Sequence, residues 1–244
     1  MWWCPSGPFT FLPIHAAASN SLFIQSYTLT LDALIEARTP NATISDSISL
    51  AAIGITDIPG KPYLKLRSVT EELSSIKQVI ASANILSDAE ATVSNVLKTM
   101  GNHEWLHIAC HGEQDISKPL NSCLNLYDGN LNLNQILAKD LPRAQFAFLS
   151  ACQTAMGSSD LPNESLHLAG GFIVAGCQAT IGTLWNMEDS DGPKVAELVY
   201  RNIMENRKVL DVHATAEALH SAVQSLKDSG APFERWIPFI HMGI

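Results

Sequence analysis

The sequence predicts an α/β protein built on a mostly parallel sheet that is flanked by helices. First, apolar runs of strand length alternate with amphipathic runs of helix length. Second, residues 146–185 read as strand, loop, helix and strand, the unit from which parallel sheets are made. Third, residues 105–112 have the same form, an apolar run followed by His-Gly. The 244 residues, 46% hydrophobic and 16% charged, suffice for one large domain over 1–244.

The first 45 residues are expected to form a lead-in of a hairpin, confined to a sheet edge, and a helix. Within 1–45, prolines and a turn at Ser6-Gly7 suggest a short hairpin, and residues 27–38 suggest a helix that ends at Pro40. The following elements are predicted as a strand over 47–55, a helix from Thr70 to about Ile80, a short strand over 84–86, and a helix to Met100 capped by Ser87 or Asp88.

The second half continues the alternation of strands and helices. Asp128-Gly129 lies between two apolar runs and is a strong hairpin signal. The predicted elements are strands over 105–110, 123–127, 131–133, 146–151 and 179–185, helices over 134–139, 165–176, 192–206 and 211–228, and a final edge strand over 235–240.

Composition excludes several classes of protein. No apolar run is long enough to cross a membrane, and the first residues lack the basic start and apolar core of a signal peptide. The net charge of −9, without a Lys/Arg cluster, argues against nucleic-acid binding. An acidic surface serves solubility more often than it binds a cationic partner. The five cysteines are unpaired in spacing, which is typical of a reduced, cytoplasmic protein.

The chemistry suggested by the sequence centres on Cys152 and His111. Each follows an apolar strand, and they are 41 positions apart. If the two strands are parallel neighbours, the side chains meet at the carboxyl edge of the sheet, where sites of α/β proteins lie. A thiol beside a histidine is an arrangement for nucleophilic catalysis. Two simpler interpretations remain open, because cysteine also packs well in cores and His-Gly often ends a strand in a turn.

Other residues near these two strand ends are candidates for substrate binding. The backbone N–H groups of Gly112 and Cys152 are placed to form an oxyanion hole. Asp189 and Asp191 follow the next strand, where a carboxylate can hold a Lys or Arg side chain of a substrate. The alternative for these acids is capping of the helix that follows.

The sequence indicates no metal site and no cofactor. His107, Cys110 and His111 are close in sequence, but strand alternation sends Cys110 to the face opposite His107 and His111. His103, His167, His213 and His220 are expected on the surface or on helix faces without a partner. The absence of a Gly-x-Ser-x-Gly elbow argues against an α/β hydrolase.

Several motifs resemble the CHAT domain, the caspase-like domain often found after tetratricopeptide repeats. They are Ile108-Ala109-Cys110-His111-Gly112, Leu149-Ser150-Ala151-Cys152-Gln153-Thr154, Ala175-Gly176-Cys177 and Thr183-Leu184-Trp185. The phrases Trp2-Trp3-Cys4-Pro5 and Arg235-Trp236-Ile237-Pro238-Phe239-Ile240-His241 are similar to the start and end of the domain in the fungal branch of the family. The resemblance covers nearly the whole chain.

The resemblance implies a caspase–haemoglobinase-like three-layer sandwich and a cysteine endopeptidase of the separase–caspase–gingipain group. It implies His111 as base and Cys152 as nucleophile, and cleavage after a basic residue held by Asp189 and, less directly, Asp191. The substrate is then a protein or peptide. Since this chain has no tetratricopeptide repeats, it is expected to be part of a longer parent or to depend on a regulatory protein partner. The alternative is a latent or inactive CHAT module that binds proteins.

Overall fold

The structure is a computed structural model of the 244-residue chain. It describes residues 1–17, 23–38, 49–115, 117–139, 141–151, 154, 167–207 and 210–244. The architecture below refers to these residues.

The strands and helices alternate along the chain as predicted. In chain order the strands are β1 (Trp2–Trp3), β2 (Ser26–Tyr27), β3 (Leu50–Gly54), β4 (Asn84–Ser87), β5 (Trp105–Ala109), β6 (His111–Glu113), β7 (Cys123–Asn125), β8 (Asn130–Asn132), β9 (Phe146–Ser150), β10 (Ala179–Thr183) and β11 (Phe239–Gly243). The helices are α1 (Ile14–Ala17), α2 (Leu31–Arg38), α3 (Val69–Val79), α4 (Val93–Met100), α5 (Leu133–Lys139), α6 (Leu168–Val174), α7 (Asp191–Arg207), α8 (Thr215–Asp228) and α9 (Phe233–Trp236).

A mostly parallel, eight-stranded sheet forms the centre of the molecule, which confirms the predicted fold class. Its strand order is β1-β2-β11-β10-β9-β5-β3-β4, and a second sheet has the order β6-β7-β8. The strands from β10 to β4 pair in parallel. β11 pairs antiparallel with β10 and parallel with β2. The prediction of a final edge strand over 235–240 is wrong, because the lead-in strands β2 and β1 cover the outer side of β11.

Helices cover both faces of this sheet, so the molecule has three layers. The alternation of side chains along β5 explains why both faces are apolar: Leu106 and Ile108 pack into one core, whereas Trp105 and Ala109 pack into the other. The first core is closed by α4, α5 and α6, and the second by α3, α7 and α8. α3 buries Val69, Leu73 and Ile76, the spacing of an amphipathic helix.

The lead-in differs from the prediction at its start, where the expected hairpin does not form, and in the length of its second predicted element. The expected hairpin with a turn at Ser6-Gly7 is wrong, because Gly7–Phe11 forms a 3₁₀ helix that has Pro8 in its first turn, where proline is favoured. β1 pairs instead with β2, in parallel. The predicted helix over 27–38 is found as the shorter α2 (Leu31–Arg38), because Tyr27 lies in β2, and Pro40 lies outside the described residues.

The remaining predicted elements are present with shifted boundaries. The predicted strand over 47–55 is found as β3, and residues 47 and 48 lie outside the described part, as do residues 165 and 166 of the predicted helix over 165–176. α4 is capped by Thr92, whose side chain accepts from the Asn95 N–H. The predicted caps belong instead to a separate 3₁₀ turn over Asp88–Glu90, which Ser87 precedes and Asp88 begins. None of the described helices has the length and apolar character needed to cross a membrane.

Candidate functional site

The two strands that lead to His111 and Cys152 are neighbours in the sheet. β5 and β9 pair in parallel, with Ala109 opposite Ser150. His111 and Cys152 each lie two positions beyond that pair in the sequence. The condition under which the two side chains were expected to meet, parallel neighbouring strands, is therefore met. Cys152 itself, with Gln153, lies outside the described residues.

His111 was expected to close β5, but it begins a new strand instead. The chain turns at Cys110, and β6 then pairs antiparallel with β7, with Gly112 opposite Leu124. The hairpin of β7 and β8, predicted from Asp128-Gly129, is confirmed and supplies the other two strands. Leu124 is fully buried and anchors this small sheet to the core of the domain. The sequence missed β6 because three residues with a central glycine carry no strand signal of their own.

A cleft of about 540 Å³ lies beside His111 at the carboxyl edge of the large sheet. The described residues that line it are Leu64, Leu66, His111, Gly112, Glu113, Gln114, Asn186 and Met187. His111 is partly buried, and its Nε2 has no hydrogen-bond partner within the described part of the chain. Through this nitrogen the histidine is thus not committed to a structural hydrogen bond with a described residue. Gly112, predicted to supply an oxyanion-hole N–H, lines the same cleft.

Two threonines hold the segment that leads to Cys152. The Thr183 hydroxyl donates to the backbone carbonyl of Ala151 at 2.8 Å, and the Thr183 N–H donates to the Thr154 hydroxyl at 3.0 Å. Thr183 and Thr154 are fully buried. The end of β10 therefore holds the Ala151 carbonyl and the Thr154 hydroxyl, on either side of positions 152 and 153. Both threonines lie within motifs named above, but no role was predicted for either of them.

The two predicted substrate-binding acids are both engaged by the chain itself. Asp189 Oδ2 accepts from the backbone N–H groups of Arg67 at 2.9 Å and Ser68 at 3.0 Å, which places this carboxylate before the first turn of α3. Asp191 begins α7, is 1% exposed and forms a two-point ion pair with Arg235. The hydrogen bonds and charge of Asp191 raise the pKa of Arg235.

Neither Asp189 nor Asp191 is among the described residues that line the cleft. The alternative expected for them, capping of the following helix, fits Asp191 through its place in the first turn of α7. Asp189 instead serves the start of α3, a contact between residues more than 120 positions apart that local sequence cannot reveal.

Glu113 is an acid that sequence reasoning did not single out. It lines the cleft, two residues after His111. One of its oxygens, Oε1, accepts from Asn125 Nδ2 at 2.9 Å. Its position directly after His-Gly was the available signal. The arrangement thus offers a histidine, a glycine and a carboxylate around one cleft. Within the described ranges, no three His, Cys, Asp or Glu side chains converge as a metal site.

Comparison with known proteins agrees with this architecture. The family model for the CHAT domain matches residues 1–244. No curated protein sequence matches the chain. A solved structure of the Saccharomyces cerevisiae separase–securin complex superposes with a TM-score of 0.71 at 13% identity, over 100% of this chain and 15% of that chain. The Porphyromonas gingivalis RgpB pro- and mature domains give a TM-score of 0.59 at 13% identity, over 92% of this chain and 56% of that chain.

A second gingipain structure, of the Arg-specific cysteine proteinase gingipain R, gives a TM-score of 0.56 at 12% identity, over 80% of this chain and 46% of that chain. The chain thus spans 15–56% of the length of these three solved proteins. At such low identity these likenesses define the fold, which is that of the caspase-like cysteine peptidases. Because the family model matches all 244 residues, the chain belongs to the CHAT domain family.

Proposed function

We propose that the chain is a cysteine endopeptidase that uses His111 and Cys152 as a catalytic dyad. The observation that carries the proposal is the parallel pairing of β5 and β9, with Ala109 opposite Ser150, two positions before each member of the dyad. The caspase-like fold and the position of His111 beside an open cleft support it. The substrate is a protein or peptide.

In the proposed mechanism His111 takes the Cys152 proton, and the thiolate attacks the carbonyl carbon of the scissile peptide bond. The N–H groups of Gly112 and Cys152 stabilise the oxyanion that forms. The amine leaves with the proton held by His111, and a water molecule then hydrolyses the thioester, which restores the thiol and releases the carboxylic acid. The hydrogen bond from Thr183 to the Ala151 carbonyl supports the attack by Cys152, because it restrains the backbone before the nucleophile.

We further propose cleavage after a basic residue. The likeness to an Arg-specific cysteine proteinase and the acidic net charge of −9 favour it. Asp189 and Asp191 remain the candidates implied by the family, although they must share or exchange their present partners, the Ser68 N–H and Arg235, to bind a substrate. Glu113 needs no such exchange through its second oxygen, and it already lines the cleft.

Cleavage of a peptide panel tests the activity and the specificity together. Peptides with Arg, Lys, Gln or Asp at the cleaved position are incubated with the wild type and with Cys152→Ala as control. Wild-type cleavage after Arg and Lys, absent in Cys152→Ala, is the expected result. Asp189→Asn, Asp191→Asn and Glu113→Gln then identify the selecting acid as the variant that loses the preference for Arg over Gln. Equal turnover by wild type and Cys152→Ala would exclude the dyad.

A second candidate is a protein-binding module that is latent until a partner acts. The internal engagement of Asp189 and Asp191 favours it, because both acids are occupied in the absence of any partner. The solved separase structure also contains its partner securin. A partner here would be a regulatory protein or a tetratricopeptide-repeat region. Reaction of Cys152 with iodoacetamide at the rate of an unactivated thiol, with cleavage that appears only after a partner is added, would support latency.

A further inference from the structure

His111 has a buried polar neighbour across the small sheet. β6 and β7 pair so that His111 lies directly opposite Asn125. Side chains opposite each other in an antiparallel pair lie on the same face, with Cβ atoms about 4.5–5.5 Å apart. Asn125 is 0% exposed, so its amide must find partners inside the protein.

Glu113 determines which way the Asn125 amide points. Asn125 Nδ2 donates to Glu113 Oε1 at 2.9 Å. An ionised carboxylate can only accept hydrogen bonds, so the atom that faces Glu113 must be the amide nitrogen. The carbonyl oxygen Oδ1 therefore faces away from Glu113. The amide orientation follows from the chemistry of its partner, and a flipped assignment would place two acceptors against each other.

The two atoms that remain on this pair are complementary and unpaired. Asn125 Oδ1 and His111 Nε2 are both buried, and neither has a hydrogen-bond partner in the described portion of the chain. Buried polar atoms are nearly always paired, so two such exceptions on facing side chains call for a common explanation. Oδ1 is an acceptor, and Nε2 can carry a proton.

We propose that Asn125 is a positioning residue for His111, and that its Oδ1 accepts a hydrogen bond from His111 Nε2–H in the folded chain in solution. The inference rests on the proposed function, in which His111 is the catalytic base. A proton held on Nε2 leaves the Nδ1 lone pair to take the Cys152 proton. The bond is not made in this structure, but hydrogen bonds at catalytic sites are often long or poorly aligned until the working complex forms. Glu113 acts one step further out, by holding the amide.

A pair of variants separates this role from simple packing. Asn125→Leu keeps the volume and removes the acceptor. The double variant Asn125→Asp with Glu113→Gln reverses donor and acceptor between positions 113 and 125, keeps the total charge, and still offers an oxygen to His111. We expect Asn125→Leu to lower kcat by about 10²-fold with little change in KM, since misplacing a catalytic group by about 1 Å has this effect. For the double variant the readout is the His111 tautomer, because Glu113 is also a candidate for binding the basic residue of the substrate.

The deciding readout is the tautomer of His111, measured from its ¹⁵N ring shifts in the full-length, folded chain. The proposal predicts the Nε2–H tautomer in the wild type and in the double variant, and a shift toward the Nδ1–H tautomer in Asn125→Leu. An identical tautomer distribution in the wild type and Asn125→Leu would overturn the proposal. This measurement needs no turnover, so it tests the role of Asn125 even if the wild type cleaves no peptide. Failure of the wild type to cleave any peptide would overturn the proposed function instead.

Discussion

The buried histidines in the strands of the large sheet differ in their hydrogen bonding from the histidine at the carboxyl edge of that sheet. His107 pairs its Nε2 with Glu72 at 3.0 Å and its Nδ1 with the Tyr200 hydroxyl at 3.2 Å. His241 is held by Ser26 at 2.7 Å and Thr215 at 2.9 Å. His111 leaves Nε2 without a partner among the described residues.

This contrast teaches where the fold secures structure and where it leaves chemistry available. A fully partnered imidazole in a core is locked in one place and cannot exchange a proton without breaking its hydrogen bonds. In His111 the proposed hydrogen bond to Asn125 engages Nε2 alone, which leaves Nδ1 able to exchange a proton. Substitutions should therefore separate into those that remove activity and those that remove stability.

The largest effect is expected for His111→Ala. Loss of a general base typically lowers the rate about 10²–10⁴-fold. Because the only hydrogen bond proposed for Nε2 is the one to Asn125, the free energy of unfolding should fall by no more than about 1 kcal/mol. Peptidase assays and urea unfolding of the same preparation check both parts. A loss of several kcal/mol in stability would show that His111 is structural and would remove the contrast.

The next largest effect is expected for His107→Leu, in stability. This change leaves Glu72, 2% exposed, without its buried partner, which typically costs about 3–5 kcal/mol. Glu72→Gln is the matched control, because glutamine keeps an oxygen for the His107 N–H, and its loss should be much smaller. Urea unfolding measures both variants. Equal losses would contradict this explanation, because Glu72→Gln preserves the packing and the oxygen that His107 contacts.

Acid should destabilise the chain through its buried neutral histidines. Burial lowers the pKa of His241 from 6.5 to about 3 and that of His167 from 6.5 to about 4. The unfolded chain binds these protons below about pH 6.5 while the folded chain stays neutral, so stability falls as the pH falls from about 6.5 toward the folded pKa values. Each histidine is expected to contribute a loss of about 2 kcal/mol by pH 5.

Replacement of one of these histidines tests the sign and size of that effect. In His241→Gln the decrease in unfolding free energy between pH 7 and pH 5 should be smaller by about 2 kcal/mol than in the wild type. Urea unfolding at the two pH values gives this difference. An unchanged pH dependence would mean that His241 is protonated in the folded chain at pH 5.

A smaller loss of stability than for His107→Leu is expected for Thr183→Val, which leaves the Ala151 carbonyl without its donor. A lost buried hydrogen bond costs about 1 kcal/mol, and the peptidase rate should fall with it because the backbone before Cys152 loosens. Thr180→Val is the matched control in the same strand, because its buried hydroxyl has no partner among the described residues, and its removal should be neutral or stabilising. Similar activity in both variants would contradict a role for Thr183.

The order of the strands and most helices follows from local pattern, so it could be predicted from the sequence. Periodicity identified β5, β9 and β10, and a dipeptide identified the hairpin of β7 and β8. The site was harder, because its contacts join distant positions. The pairing of Asp191 with Arg235 and of Asp189 with the start of α3 has no local signature. His167, expected on the surface, is buried and its Nδ1 caps α6. The cytoplasmic location stays a prediction.

The role of Asn125 illustrates the same limit. In the sequence it is one polar residue in a short strand, and only the register of β6 against β7 brings it opposite His111. The hairpin could be predicted, but its pairing with a three-residue strand that contains Gly112 could not, since such a strand is specified by tertiary contacts.

The most direct test of the central claim is covalent labelling with an electrophilic peptide that carries Arg at the cleaved position, compared with one that carries Asp. Burial raises the pKa of Cys123 to about 11 and that of Cys177 to about 12, so these thiols stay protonated near pH 7. A Cys4→Ser background removes the exposed thiol. We predict one adduct, on Cys152, formed by the Arg probe, lost in His111→Ala and retained in Thr180→Val. Equal labelling of Cys152 in the wild type and His111→Ala would contradict the dyad.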